Sequence, residues 1–143
     1  MRIKDVLHVK GDMVVTVAPE VTVRDLLSLL AEHNIGAVVV SSDGTTVSGI
    51  VSERDVVRAL VRGVEILDGA VSEIMTAEVR TAALDETVDG LMRLMTEHRI
   101  RHVPVLVDDG LHGIVSIGDV VKSRIGELEF ERDQLTSYVA GAQ

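Results

Sequence analysis

The sequence predicts a mixed α/β (α+β) fold in which two similar β-α-β-β-α units pack into one globule and a C-terminal helix extends from it. Three observations support this prediction. A chain of 143 residues has room for one ordinary domain or two very small fused ones. Its hydrophobic content of 46% includes only one Phe, one Tyr and no Trp, so aliphatic side chains must form the core, and the many β-branched ones favour buried strands. The third observation is an internal repeat.

The repeat is clearest in two pairs of segments. Residues 22–35 align with residues 87–100 without a gap at an offset of 65 and share Thr, Val, two Leu, Glu-His and Ile. Residues 49–57 align with residues 113–121 at an offset of 64, and both contain Gly-Ile-Val-Ser-x-x-Asp-Val-Val. The expected division is a first repeat at 1–63, a linker at 64–69, a second repeat at 70–126 and a helical tail at 127–143.

Each unit begins with a short strand and an amphipathic helix. We expect the strands at residues 14–17 and 79–81. Thr22 and Thr87 are the expected N-caps of the helices. After each Thr, apolar residues recur at positions i, i+3, i+4 and i+7, a spacing that places them on one face of a helix. Asn34 is suited to end the first of these helices in a left-handed conformation.

Two strands and a second helix complete each unit. Asp-Gly turn signals lie between the strands and favour hairpins. The expected strands are Ala37–Val40 with residues 47–51, and His102–Val107 with residues 111–115. The second helix begins near Ser52 in the first unit and near Ser116 in the second. Neither unit is large enough to close a core comfortably by itself, so the two should pack together.

The repeated Gly-Ile-Val-Ser-x-x-Asp motif lies at a strand-to-helix junction in both units, and it has two interpretations. In the first, it binds a nucleotide: Ser52 and Ser116 donate to ribose or phosphate oxygens, Asp55 and Asp119 accept from ribose hydroxyls, and the helix N-terminus favours phosphate. In the second, Ser-x-x-Asp is a variant of the capping box and only stabilises the helix start. Repetition at matching junctions favours the first interpretation.

Taken together, these features resemble the CBS domain pair, the regulatory module named after cystathionine β-synthase. The matching features are Asp-Val-Leu at 5–7 and Glu-Ile-Met at 73–75, Glu-His near the end of each first helix, Ile-Arg-His-Val-Pro-Val at 100–105, and both Ser-x-x-Asp motifs. The resemblance implies a pseudosymmetric disc with two clefts that bind AMP, ADP, ATP or NAD, with S-adenosylmethionine less favoured. It also implies a stand-alone protein of this type.

The two repeats differ around their motifs. Gly36-Ala37 of the first repeat corresponds to Arg101-His102 of the second, so the first cleft is expected to bind differently or not at all. Arg54 and the Arg101-His102 pair are either phosphate ligands or solvated side chains. The candidate ligand-binding residues are Ser52, Arg54, Asp55, Thr81, Arg101, His102, Pro104, Ser116 and Asp119.

Composition excludes several classes of function. The net charge of −9 argues against a nucleic-acid partner. The absence of cysteine excludes disulfides and Cys-ligated zinc, and the five histidines lack metal-ligand spacing. No catalytic motif is present, so neither an enzyme nor a metal site is expected. Without a signal peptide or a long apolar run, a cytoplasmic protein that does not span a membrane is expected.

The tail continues the last helix and carries an apolar seam. Val121, Ile125, Leu128, Leu135 and Val139 follow one another at intervals of 4, 3, 7 and 4 residues, which approximates a heptad pattern. This pattern favours a homodimer, although a helix that folds back on its own domain would show it too.

Two functions therefore remain open. The first is a non-catalytic regulatory module that senses adenine nucleotides and signals to an unidentified protein partner by a change of shape. The alternative is a constitutive homodimeric scaffold whose clefts stay empty.

Overall fold

The computed structural model describes residues 1–11 and 13–141, and within these it contains five α-helices and six strands. In chain order they are α1 (Ile3–Lys10), β1 (Thr16–Val17), α2 (Val23–His33), β2 (Ala37–Val40), β3 (Gly49–Ser52), α3 (Glu53–Ala59), β4 (Ala82–Ala83), α4 (Val88–His98), β5 (His102–Val107), β6 (Gly110–Ser116) and α5 (Ile117–Gly141). Asp12 and the last two residues of the expected tail, Ala142 and Gln143, lie outside the described residues.

The strands form two sheets with the same topology. In the order β1-β2-β3 and β4-β5-β6, the first pair of each sheet is parallel and the second pair antiparallel. Ser52 pairs with Ala37, and Ser116 pairs with His102, so each motif serine ends its strand opposite the start of the central strand. The predicted mixed fold of two β-α-β-β-α units is therefore confirmed.

Each hydrophobic core is completed by residues from the start of the other repeat. Ile3, Val6 and Leu7 of α1 are buried in the core of the second repeat. Val71 is buried in the core of the first repeat, with Ile74 and Met75 packed against it. This exchange explains why neither unit closes its core alone, because part of each core belongs in sequence to the other unit.

The caps of α2 and α4 are those that the sequence predicts. The Thr22 hydroxyl accepts a hydrogen bond from the Asp25 backbone N–H at 3.1 Å, and Thr87 accepts one from Gly90 at the same distance. Asn34 ends α2 in the left-handed conformation with φ 52°. Arg99 ends α4 in the same conformation with φ 53°, which its residue type does not favour.

The bounds of several elements differ from the sequence prediction, most clearly at the first strand of each repeat. The first strand of the second repeat lies at Ala82–Ala83 rather than at 79–81, because its pairing partners are Val105 and Leu106. In the first repeat the strand is limited to Thr16–Val17 instead of 14–17. Within the expected linker at 64–69, Val64–Asp68 forms a 3₁₀ helix whose Ile66 and Leu67 pack against the first core.

The C-terminal helix α5 extends well beyond the second repeat. Of its 25 residues, Val120 is the one that is buried. Within the described residues, no helix has both the length and the apolar content that a membrane crossing requires.

Candidate functional site

A cleft of about 860 Å³ lies where the two repeats meet. The first repeat contributes the end of β3 and the start of α3, including Ser52 and Asp55. The second repeat contributes the stretch from Thr76 to Arg80 and the segment 98–102 that connects α4 to β5. The cleft is therefore composite, and a molecule bound in it would contact both repeats.

Positive charge is concentrated in this cleft although the chain is acidic. Five of the 14 Lys and Arg residues line it, against three carboxylates. The five arginines are Arg54, Arg58, Arg80, Arg99 and Arg101. Guanidinium groups bind phosphate in a planar, bidentate geometry. A local excess of two positive charges, in a chain of net charge −9, favours an anionic ligand.

The first motif forms a capping box at the N-terminus of α3. The Asp55 Oδ2 accepts from the Ser52 backbone N–H at 2.8 Å and from the Ser52 hydroxyl at 3.1 Å. In return the Asp55 backbone N–H donates to the Ser52 Oγ at 3.4 Å. The motif thus stabilises its helix by local bonds, as the second interpretation of the sequence expects, while both side chains remain part of the cleft wall.

The second motif has the same cap and an additional partner. The Asp119 Oδ2 accepts from the Ser116 backbone N–H at 2.8 Å, and the Asp119 N–H donates to the Ser116 Oγ at 3.1 Å. The ammonium group of Lys10 also donates to Asp119 Oδ2, at 2.7 Å. Burial raises the pKa of Asp119, but the hydrogen bonds from Lys10 and Ser116 outweigh it, so that the pKa lies below its usual value.

The glycine of each motif lies against a residue near the start of the other repeat. A Cβ on Gly49 would meet Met75 Sδ at 2.6 Å, and a Cβ on Gly113 would meet both Leu7 methyl groups at 3.0 Å. Leu7 and Met75 occupy equivalent positions in the repeat. The glycines therefore allow close packing between the repeats, which is one of the two roles that a motif glycine can have.

His102 lies on the wall of the composite cleft, beside the first repeat. Its ring is 3.7 Å from where a Cβ on Gly36 would be. Burial lowers the pKa of His102, and the positive charge of Lys10 lowers it further, whereas Asp119 and Glu53 act in the opposite direction. The neutral imidazole is consequently favoured in the folded protein.

The family comparison agrees with this geometry. The family model described as "CBS domain" matches residues 3–62 and 71–126. This chain belongs to the CBS domain family.

Similar proteins with CBS domains are found in bacteria and plants. The mitochondrial CBS domain-containing protein CBSX3 of Arabidopsis thaliana is 40% identical over 84% of this chain and 61% of its own length. The chain thus spans less than two thirds of that relative. The crystal structure of ATU1752 from Agrobacterium tumefaciens is 46% identical, with a TM-score of 0.84, and covers 87% of this chain and 99% of that one.

A third CBS pair was crystallised with ligands. The CBS domain pair of protein MJ0100, in complex with 5-methylthioadenosine and S-adenosyl-L-methionine, has a TM-score of 0.79. It is 27% identical and covers 89% of this chain and 98% of that one. A pair with the same fold as this chain therefore binds adenosyl compounds.

The structure brings five of the nine candidate residues together in the composite cleft of the CBS pair, namely Ser52, Arg54, Asp55, Arg101 and His102. Ser116 and Asp119 form the second motif instead. Thr81 lines a smaller cavity of about 280 Å³ beside Thr87, and Pro104 is buried within β5 opposite Ile114.

The cleft of the first motif also contains the basic pair of the second repeat. The alignment predicts that the first cleft binds differently or not at all, because its own repeat has Gly36-Ala37 in place of Arg101-His102, and this stays a prediction. Arg101 and His102 belong to the second repeat. The structure places them in the cleft that also contains the motif of the first repeat, because segment 98–102 crosses to that side. The first motif therefore faces the basic pair.

Sequence reasoning missed several residues of this cleft. Arg80, Arg99, Glu78 and His98 line it, although none was a candidate. The run His-Arg-Ile-Arg-His at 98–102 was the available signal, since four of its five side chains are basic or titratable. Arg80 gave no signal, because it lay within a stretch expected to be a strand.

Proposed function

We propose that this CBS pair is a non-catalytic regulatory module that binds an adenine nucleotide in the composite cleft and signals to a protein partner by a change of shape. One observation carries the proposal: the same cleft contains the Asp55 carboxylate, at the start of a helix, and five arginines that come from both repeats. The cytoplasmic location expected from the sequence stays a prediction.

The parts of a nucleotide match different parts of the cleft. Asp55 and Ser52 are suited to the ribose hydroxyls, because a carboxylate accepts two hydrogen bonds readily. Apolar lining from Ile50, Val79 and Ile100 is suited to the base. The arginines are suited to the phosphates, and their excess of positive charge favours ATP, ADP or NAD over the cationic sulfonium of S-adenosylmethionine.

A signal would arise because the ligand touches both repeats. Arg54 and Arg58 belong to the first repeat, whereas Arg80, Arg99 and Arg101 belong to the second. A nucleotide with several phosphates would favour the arrangement in which both groups of arginines reach it. A ligand shifts a conformational equilibrium by its difference in affinity for the two states, and a bridging ligand has such a difference.

Helix α5 supports a homodimer as the working form. Its exposed apolar seam includes Ile125, Leu128, Leu135 and Val139, each more than half exposed, and both aromatic residues of the chain, Phe130 at 64% and Tyr138 at 77%, are exposed elsewhere on the same helix. An apolar seam with this spacing, interrupted at Arg132, is typical of packing against a second helix. A second copy of this chain supplies the matching seam.

The constitutive scaffold is the alternative function, and the capping boxes favour it. The bonds within Ser52–Asp55 and Ser116–Asp119 account for the residue types at these positions without any ligand. In that case the clefts stay empty, and the protein acts through its dimer surface alone.

Titration calorimetry with ATP, ADP, AMP, NAD, S-adenosylmethionine and 5-methylthioadenosine separates the two functions. We expect the nucleotides with two or more phosphates to bind, and the double variant Arg80→Ala/Arg101→Ala to bind them at least tenfold more weakly. The matched control Arg62→Ala/Arg93→Ala removes the same charge from exposed positions outside the cleft and should bind like the wild type. If the wild type binds none of the six compounds, the result favours the scaffold over the nucleotide sensor.

A further inference from the structure

We propose that Lys10 occupies the ribose position of the second motif and keeps that site closed, so that each chain binds one nucleotide and not two. The inference rests on the proposed function of the first cleft. It assigns to Lys10 the role of a residue that determines which of the two clefts is open.

Two short bonds hold the Lys10 ammonium at the second motif. It lies 2.7 Å from Asp119 Oδ2 and donates to the backbone carbonyl of Ile114 at 2.7 Å. The side chains of Lys10 and Asp119 are 32% and 23% exposed, so the pair is partly shielded from water. A ribose that used both oxygens of Asp119 would have to displace a charged donor at Oδ2.

The first cleft differs at the equivalent positions. The alignment that pairs residue 3 with residue 71 pairs Lys10 with Glu78, so that the first cleft has an acid where the second motif has Lys10. The carbonyl of Ile50, which corresponds to Ile114, accepts from the Thr76 backbone N–H at 2.9 Å. Among the ion pairs of the described residues, none involves Asp55. The first carboxylate therefore has no ionic partner for a ligand to displace, and its described hydrogen bonds are those with Ser52.

The position of Lys10 follows from the packing of α1. Ile3, Val6 and Leu7 are buried in the second core, and Leu7 lies against Gly113, one residue before Ile114. Lys10 is one helical turn beyond Leu7. A helix fixed at three buried positions thus places its last side chain at the second motif, whereas the corresponding stretch before Thr76 is a single 3₁₀ turn over Val71–Glu73.

The stoichiometry of ATP binding tests this inference. Titration calorimetry of the full chain should give one site for the wild type. Lys10→Met removes the ammonium and should give two sites, the second one weaker because Gly118 stands where the first motif has Arg54. Lys10→Gln keeps a donor for the Ile114 carbonyl without the charge, and it should also give two sites. The control Lys4→Met changes an exposed lysine of the same helix and should keep one site.

The double variant Lys10→Met/Asp119→Ala should return the stoichiometry to one site. A wild type with two sites, or Lys10 variants that are folded and still have one site, overturns the inference while the proposed function stands. A loss of the single wild-type site in Asp119→Ala overturns it too, since the occupied cleft would then be the second. If no variant binds ATP, the proposed function fails together with the inference.

Discussion

Gly49 of β3 is packed so closely against Met75 that a Cβ on the glycine would lie 2.6 Å from the Met75 Sδ. The carbonyl oxygen of Thr76 would lie 2.9 Å from the same atom. The methionine side chain can move aside, but the carbonyl belongs to a backbone that pairs with Ile50 through two hydrogen bonds. The contact therefore limits how the start of the second repeat can lie on the first sheet.

Gly49→Ala is expected to destabilise the protein by about 1–3 kcal/mol, because the new methyl group overpacks a fixed backbone contact. Denaturant unfolding without ligand measures the change. Gly126→Ala is the control: this residue lies in α5, and a Cβ added to it would have nothing within 4 Å, so the substitution should stabilise by about 0.5–1 kcal/mol. Equal stability of Gly49→Ala and the wild type would contradict the packing role.

Arg99→Asn is expected to stabilise the free protein while weakening nucleotide binding. Arg99 has φ 53°, a conformation that Asn adopts more readily, and its counterpart Asn34 has φ 52° at the end of α2. A residue held in this region costs of the order of 1 kcal/mol, so we expect a gain of about 0.5–1 kcal/mol. The loss of a guanidinium from the cleft should reduce ATP affinity severalfold.

The reciprocal substitution Asn34→Arg is the matched control for Arg99. It should destabilise by a similar amount and leave ATP affinity unchanged, because Asn34 is not part of the composite cleft. Melting curves and calorimetry measure both quantities. If Arg99→Asn lost stability and kept full affinity, the left-handed arginine would have a structural role only.

Asp55→Ala should reduce ATP affinity about a hundredfold or more, since hydrogen bonds to a charged group contribute about 1.5–3 kcal/mol each and about 1.4 kcal/mol is a factor of ten. The loss of the capping box should lower stability by about 0.5–2 kcal/mol. Asp119→Ala removes the equivalent cap and should keep ATP affinity. Two variants that melt lower and bind alike would show that both aspartates only cap their helices.

Much of the fold could be predicted from the sequence because its signals are local and repeated. Thr22 and Thr87 cap their helices, and Asp108 and Asp109 turn between β5 and β6 with positive φ, as local patterns indicate. One short strand, β4, was misplaced and another, β1, was predicted too long, because each has two residues and exists through pairing with a distant strand.

The site was only half predictable for a related reason. Ser52 and Asp55 belong to a repeated motif, which the sequence shows directly. That Arg101 and His102 face the first motif depends on how the repeats pack, and no local pattern contains this information. The pairing of Lys10 with Asp119 joins residues 109 positions apart and depends on α1 completing the core of the other repeat.

Stability is expected to fall as the pH decreases below about 6.5, partly through His102. Its pKa in the folded protein lies below the ordinary value of 6.5, chiefly because it is buried, with Lys10 and Arg101 acting in the same direction and Asp119 and Glu53 opposing them. The unfolded chain then binds a proton at a pH where the folded chain does not, which favours unfolding. Above pH 6.5 both states are neutral, and this contribution to stability is fully present.

His102→Gln should reduce the loss of stability between pH 7.5 and 5.5, measured from melting curves at several pH values. Gln has no charge to gain over this range, so the contribution of residue 102 disappears. His112→Gln changes an exposed histidine of β6 and should leave the pH dependence as in the wild type. Equal slopes for all three proteins would assign the pH dependence to other groups.

The homodimer prediction depends on the apolar seam of α5. Leu128→Asp and Leu135→Asp place a charge on residues that are 59% and 66% exposed in the single chain, so a monomer should tolerate both. In a dimer each change would bury an unpaired carboxylate, which is strongly unfavourable. We expect light scattering to give the mass of a dimer for the wild type and the mass of a monomer for each variant. A chain that lacks residues 127–143 should also have the mass of a monomer.

The control Gln134→Asp adds the same charge at a polar position outside the seam, and this variant should remain a dimer. A seam variant that stays dimeric would remove this helix from the interface and leave the faces of the two repeats as the place where copies meet.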